Sequence, residues 1–238
     1  MTSRLVELCF DARHPRRLAG FWASVLGRDV ADDGVTLLPG DDGQLQVRFL
    51  PTEVPKTRPN QIHFDLMTLS LQDQQDTVAR ALAAGGRHLD VGQLPEEEHV
   101  VLADPEGNEF CVVEPTNNFL RGTGRIGAFS SDGSQQVGYF WSEALGWPLV
   151  WDQDEETAIQ AAEGGSKISW GGPPFHPKLA KNRLHLNLAP HAAGDTDEVE
   201  RLLSLGAARS SLGQCGEGWV AMTDPDGNEF CLRTANPA

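Results

Sequence analysis

Glu7 stands inside an apolar, β-prone run, "RLVELCF" (residues 4–10). A carboxylate among such neighbours must pair, ligate a metal, or shift its pKa towards the neutral form. Turned into a cavity it is the natural general base for proton abstraction. Turned outward it is only solvated. Two histidines occupy matching places in strand-like runs, His63 in "NQIHFDL" and His185 in "NRLHLNL". Either can ligate a metal, act as an acid or base, or stand as a hydrogen-bonded wall residue that orients a polar ligand. The phrase "DPEGNEFC" (104–111) returns as "DPDGNEFC" (224–231), with Glu106 replaced by Asp226. Within it, Asp-Pro-x-Gly-Asn between two apolar runs is turn chemistry: Pro presets φ, Asp bonds back to the backbone and Gly supplies positive φ. Asp104, Gly107, Asp224 and Gly227 are therefore read as structural.

The elements that carry these residues repeat. Phe21-Trp22 reappears as Phe140-Trp141, His63 as His185 and the turn phrase as itself, in the same order and at nearly constant offset. The chain is thus a duplication, with halves at 1–116 and 123–238 and a short polar joint at 117–122. In the first half Leu18, Phe21, Trp22, Val25 and Leu26 follow helical spacing, with Pro15 at the first turn and Gly27 placed to end the helix. Strand-like runs "GVTLLPG" and "QLQVRFL" follow. The second part of the half repeats the order, with a helix whose face carries Val78, Ala81 and Leu82. Each half reads as βαβββ twice, so the fold class is α+β.

The order "FDAxxPxxLAxFWxxxLG", "HFDL", "DPEGNEFC" resembles the vicinal oxygen chelate superfamily, in particular its glyoxalase-like domains, over nearly the whole chain and twice. The resemblance implies that each domain pairs two βαβββ units into a curved sheet around a cup, and that two domains face one another in one chain. Members of that superfamily include glyoxalase I, extradiol dioxygenases, fosfomycin-modifying enzymes and metal-free bleomycin-binding proteins. In the metal-dependent members the ligands stand on the first, fifth and eighth strands. Those positions fall on Glu7, His63 and Cys111 in the first half, and on Ile126, His185 and Cys231 in the second. Glu7, His63 and Cys111 would suit zinc, since thiolate is a soft ligand. Glu109, two residues earlier, is a substitute on the same strand face.

Three readings of function follow. The resemblance with loss of family ligands at Ile126, Cys111 and Cys231 implies a small-molecule-binding protein without a resident cofactor. The Glu7–His63 pair implies instead a metal-dependent lyase or isomerase sited in the first half, or a metal-free enzyme with Glu7 and His63 as acid–base groups. The aromatics Trp151, Trp170 and Trp219, with His185, would give the second half a cup for a flat, partly apolar ligand. The reading of these Trp residues as core alone is the one favoured.

Composition excludes other classes. The net charge of −15 argues against nucleic acid and anionic membranes, which need a basic face. No apolar run approaches the roughly 20 residues that span a bilayer. The N-terminal residues lack a secretory pattern, so a cytoplasmic protein is expected, with its four cysteines as reduced thiols. Its partner is expected to be a small organic molecule, the chain being either a monomer with an internal pseudo-dimer or a homodimer.

Overall fold

The computed structural model describes residues 2–40, 45–94, 96–175, 177–191, 197–211 and 215–234. Four units follow in chain order. The first holds β1 (Ser3–Ala12), α1 (Pro15–Leu26), β2 (Thr36–Leu37) and β3 (Gln46–Pro51). The second holds β4 (Ile62–Leu66), α2 (Leu71–Ala83), β5 (Arg87–His88), β6 (Val100–Ala103) and β7 (Glu109–Val112). The third holds β8 (Ile126–Ser131), α3 (Gln135–Leu145), β9 (Leu149–Gln153), β10 (Glu156–Gln160) and β11 (Lys167–Trp170). The fourth holds β12 (Leu184–Pro190), α4 (Glu198–Ser204), β13 (Ala208–Arg209), β14 (Trp219–Thr223) and β15 (Glu229–Arg233). Three of them are βαβββ; in the first, one strand has shrunk to the bridge Val30–Leu37.

These units form two curved mixed sheets, ordered β13-β14-β15-β12-β1-β3-β2 and β5-β6-β7-β4-β8-β11-β10-β9. Each sheet is a pair of units, as the sequence implies, but its two units come from different halves. β1 runs antiparallel to β12, and β4 antiparallel to β8. A duplicated sequence specifies every strand without specifying which copy it meets, since both copies present the same apolar alternation.

Period-two alternation then sorts the side chains. In β1, Leu8, Phe10 and Ala12 are buried in the core, and in β4 so are Phe64 and Leu66. Phe10 meets Phe64 edge-on at 6.0 Å between centroids, and Trp22 lies 5.0 Å from Phe64 and 4.9 Å from Phe110. The sheets therefore pack back to back through these rings, and the alternate residues, Glu7 and Cys9 on β1 and His63 and Asp65 on β4, face two separate cups.

α1 buries the face expected of it, and Gly27 ends it at φ 66°. α2 does not. Of Val78, Ala81 and Leu82 only Ala81 is fully buried, while Gln74 and Thr77 take the inner face. Their polar atoms are satisfied there: Gln74 donates to the carbonyls of Glu98 and Val112, and Thr77 to that of Asp73.

The repeated phrase is a hairpin that also clips a helix. Asp104 Oδ1 accepts the amides of Glu106 and Asn108 at 2.8 and 2.9 Å, and Asp224 does the same for Asp226 and Asn228. The residue after Pro then reaches the helix start within its own half. Glu106 accepts the amides of Arg13 and His14, just before α1, and Asp226 accepts the amide and the hydroxyl of Ser134, the cap of α3. Trp141 Nε1 donates to Asp224 at 3.0 Å, tying the Phe-Trp motif to the turn.

The joint at 117–122 is not a solvated tether. Leu120 is buried against Val113 and Ala128, with Phe119, Met67 and Cys111 packed around them. No helix among the described residues is long and apolar enough to cross a membrane.

Candidate functional site

The β1 cup is open. A cavity of about 740 Å³ is lined by Glu7, Cys9, Arg48, His185, Asn187 and Trp219, with the 215–218 segment as one wall. Glu7 is 5% exposed and held by nitrogen donors: Gln46 Nε2 at 2.7 Å, Asn187 Nδ2 at 2.9 Å and Arg48 Nε at 3.1 Å. The first is an amide on β3, the second an amide on β12, and the third a guanidinium on β3. Asn187 Nδ2 also lies 3.2 Å from Cys9 Sγ. His185 stands opposite Cys9, and Asn187 opposite both Glu7 and Cys231. His185 is buried, and burial, helped by the charge of Lys181, pushes its pKa down to about 3, so the ring is neutral. Its Nδ1 and the Asn187 Oδ1 are buried without a hydrogen-bond partner. Burial also raises the Cys9 thiol, with the Glu7 charge adding to it, so Cys9 stays protonated.

The β4 cup is filled by the chain itself. Phe119 and Leu120 of the joint pack with Ala128 and Cys111, and Lys167 donates to the Phe119 carbonyl while lying 4.4 Å over its ring. Beneath them the donor atoms of His63, Asp65 and Cys111 lie within 4.8 Å of one another. Asp65 accepts from Ser130 and stands 3.4 Å from His63 Nε2. Desolvation acts to lower the His63 pKa, but the Asp65 hydrogen bond and charge outweigh it, and the net shift is upward. Desolvation acts to raise the Asp65 pKa, and its bonds to His63, Ser130 and Cys111 bring the net shift downward. Cys111 is raised by burial and by Asp65.

The glyoxalase-like domain family matches this chain twice, over residues 7–113 and 128–233. The chain belongs to the glyoxalase-like domain family. Among solved structures, a glyoxalase I mutant from Zea mays is 12% identical, with a TM-score of 0.65 over 98% of this chain and 94% of its own. Glyoxalase I from Zea mays is 13% identical, with a TM-score of 0.62 over 98% and 93%. A protein from Bacillus subtilis subsp. subtilis str. 168, provisionally named a dioxygenase, is 14% identical, with a TM-score of 0.61 over 100% and 86%. At these identities the likeness is one of fold. No curated protein matches the chain.

Several sequence expectations change against this glyoxalase-like frame. Glu7, His63 and Cys111 do not converge. Glu7 lies in one sheet and the other two in the other, because the units exchange between halves. For the same reason Glu7 and His63 do not form one acid–base pair. Asp65 takes the place expected of Glu7 beside His63 and Cys111. Glu109 is no substitute ligand: Lys56 Nζ at 2.6 Å and the Asn60 amide hold its carboxylate. By strand register the counterpart of Glu7 is Ala128 rather than Ile126, since Glu7 faces Asn187 as Ala128 faces Asp65. The aromatic set disperses: Trp219 lines the β1 cup with His185, Trp170 is core, and Trp151 is 38% exposed on β9. The cysteines are not all reduced, for Cys215 and Cys231 form a disulfide, leaving Cys9 and Cys111 free.

The two donor sets differ in how they suit the family's metal. The β1 cup does not fit a divalent ion as it stands, because the Cys231 sulfur is bonded to Cys215 and the Glu7 carboxylate is taken by amide and guanidinium donors. In the β4 cup, imidazole, carboxylate and thiol lie close enough to share one ion, and that set suits zinc. Asn187, Arg48 and Gln46 were not singled out from the sequence. Asn187 was legible, two residues after His185 and so on its strand face; Arg48 and Gln46 become neighbours of Glu7 only through strand pairing.

Proposed function

We propose that this glyoxalase-like protein binds a small organic molecule in the β1 cup, using its own side chains rather than a resident metal ion at that place. The observation that carries this reading is the contrast between the cups. One is an open cavity of about 740 Å³ with a buried carboxylate at its base, and the other is packed by Phe119 and Leu120. The volume lies in the range of pockets that enclose small ligands. Inside it Glu7 accepts, the Arg48 guanidinium donates, and Trp219 offers an aromatic face. A ligand proton near Glu7 could be taken by its carboxylate, so the same arrangement serves binding and proton abstraction alike. The test is a thermal-shift screen of small organic acids, phenols and sugars on chelator-treated protein. A compound that raises Tm for the parent chain but not for Glu7→Gln supports the reading. Stabilisation that survives that substitution, or appears only with added metal, opposes it.

A second reading rests on the His63, Asp65 and Cys111 cluster. These residues would hold a zinc-like ion, which supplies Lewis-acid polarisation of a ligand oxygen when bound. About one equivalent of zinc in freshly purified protein, lost in His63→Ala and kept in Glu7→Gln, would favour it.

A further inference from the structure

We infer that the β4 cup is a second binding site, for an aryl-alkyl carboxylate, and that Phe119 of the joint is its resident occupant. This goes beyond the binding reading of the β1 cup and stands on a different part of the molecule.

Lys167 holds two groups of one residue. Its Nζ donates to the Phe119 carbonyl and lies 4.4 Å from the centroid of the Phe119 ring. Within Phe119 the ring and the carbonyl are joined through Cβ and Cα, which is the skeleton of a 3-phenylpropanoyl group. An ammonium over an aromatic face is attracted to it. The carbonyl, by contrast, is a neutral acceptor, and among the described residues no carboxylate pairs with Lys167. A carboxylate oxygen in that place would make a charge-assisted bond, shorter and roughly twice as strong. Burial already holds the Lys167 pKa below its ordinary value, so an anion there relieves the ammonium.

Strand pairing fixes this cation in the cup. Lys167 stands opposite Ala128, and Ala128 opposite Asp65, so all three share one face of the sheet. In the other sheet Glu7 stands opposite Gln46 as Ala128 stands opposite Lys167. The β1 cup therefore has a carboxylate and an amide where the β4 cup has a methyl group and an ammonium. The two cups favour ligands of opposite charge at that point.

The joint lets Phe119 leave without unravelling. Leu120 is its anchor, 2% exposed and packed on Val113 and Ala128. Gly127 makes the room, since a Cβ there would lie 2.9 Å from Leu120 Cδ1. The Leu120 amide donates to Asn117 Oδ1 at 3.1 Å, and its carbonyl accepts from Thr123 Oγ1 at 2.7 Å. Phe119 beside it is only half-buried. A ligand that must displace Phe119 binds less tightly, in proportion to the fraction of time the place is free.

The experiment titrates 3-phenylpropanoate, as the probe, into chelator-treated protein by calorimetry. Phe119→Ala should bind it about tenfold or more tighter than the parent chain. Adding Lys167→Met, which keeps the aliphatic stem, should abolish that binding, and the neutral amide of the same acid should bind more weakly than the acid. In the parent chain, which needs no substitution, saturating acid should move the NMR signal of the Phe119 ring, assigned by its loss in Phe119→Ala. Adding Glu7→Gln to Phe119→Ala separates the cups. Binding retained there supports the proposal, whereas binding lost there puts the acid in the β1 cup, overturning this inference while leaving the β1 reading standing. Equal affinity in parent and Phe119→Ala, binding that survives Lys167→Met, or a Phe119 ring signal unmoved at saturation would each overturn it as well.

Discussion

His185 and Asp224 make opposite demands on pH. His185 has its ordinary value of 6.5 pushed down to about 3 by burial. The unfolded chain therefore takes up a proton, as pH falls from about 6.5 towards 3, that the folded chain refuses, so this group removes stability on the acid side. Asp224 is raised from 3.8 to about 6, again by burial, against the opposing bonds from Trp141 and Asn228. The folded chain keeps a proton there that the unfolded chain loses, so its contribution is present below pH 3.8 and is lost as pH rises towards 6. Urea midpoints measured from pH 4 to 7 should flatten on the acid side in His185→Asn and gain less at low pH in Asp224→Asn. An unchanged pH profile in His185→Asn would mean the ring is not buried as a neutral group. At this scale the sequence was informative about residue type: Glu7 in an apolar run and the paired histidines both reach cup walls. It was blind to partners. Arg48 and Gln46 hold Glu7 from β3, and no spacing along the chain announces that.

Elements were more legible than partners, because each is specified locally. The Phe-Trp helices, their terminal glycines and the Asp-Pro-x-Gly-Asn hairpins all follow from propensity and turn chemistry. What the turns do beyond turning depended on three-dimensional approach: Glu106 and Asp226 reach the amides at the starts of α1 and α3. Removing such a carboxylate should cost about 0.5–2 kcal/mol, the scale of a helix cap. Asp226→Ala is expected to lower the urea-derived stability by that amount, with little effect on ligand or metal binding. Trp22 is a harsher case, since it touches Phe10, Phe21, Phe64 and Phe110 and so joins both sheets. Trp22→Ala should cost about 3–5 kcal/mol in the same measurement. The disulfide escaped the sequence reading for a physical reason. Cys215 and Cys231 are 16 residues apart on a segment that doubles back through β14, and only the hairpin brings them together.

At the scale of the molecule, duplication was plain in the sequence and exchange was not. Both sheets take one unit from each half, so neither half carries a whole sheet. Residues 1–116 expressed alone are therefore expected to be unfolded or self-associated, because β1 would lack β12 and β4 would lack β8. Co-expression with 123–238 should restore a folded heterodimer, seen by amide dispersion in NMR. Two halves that fold separately as stable monomers would contradict the exchange. The exchange also explains why one cup is open and the other packed. The joint runs from β7 towards β8, strands of the same sheet, and so lays Phe119 and Leu120 over the β4 cup while the β1 cup stays open.

The central claim is that the open β1 cup, with Glu7 from one half and His185 from the other, is the working site. The most direct measurement is tryptophan fluorescence of chelator-treated protein, titrated with the best compound from the thermal screen and repeated in Trp219→Phe, Glu7→Gln and His63→Ala. Saturable quenching that is lost in Trp219→Phe, weakened at least tenfold in Glu7→Gln and unchanged in His63→Ala is the predicted result. Quenching that persists in Trp219→Phe and Glu7→Gln but disappears in His63→Ala would place the ligand in the other cup and contradict the account.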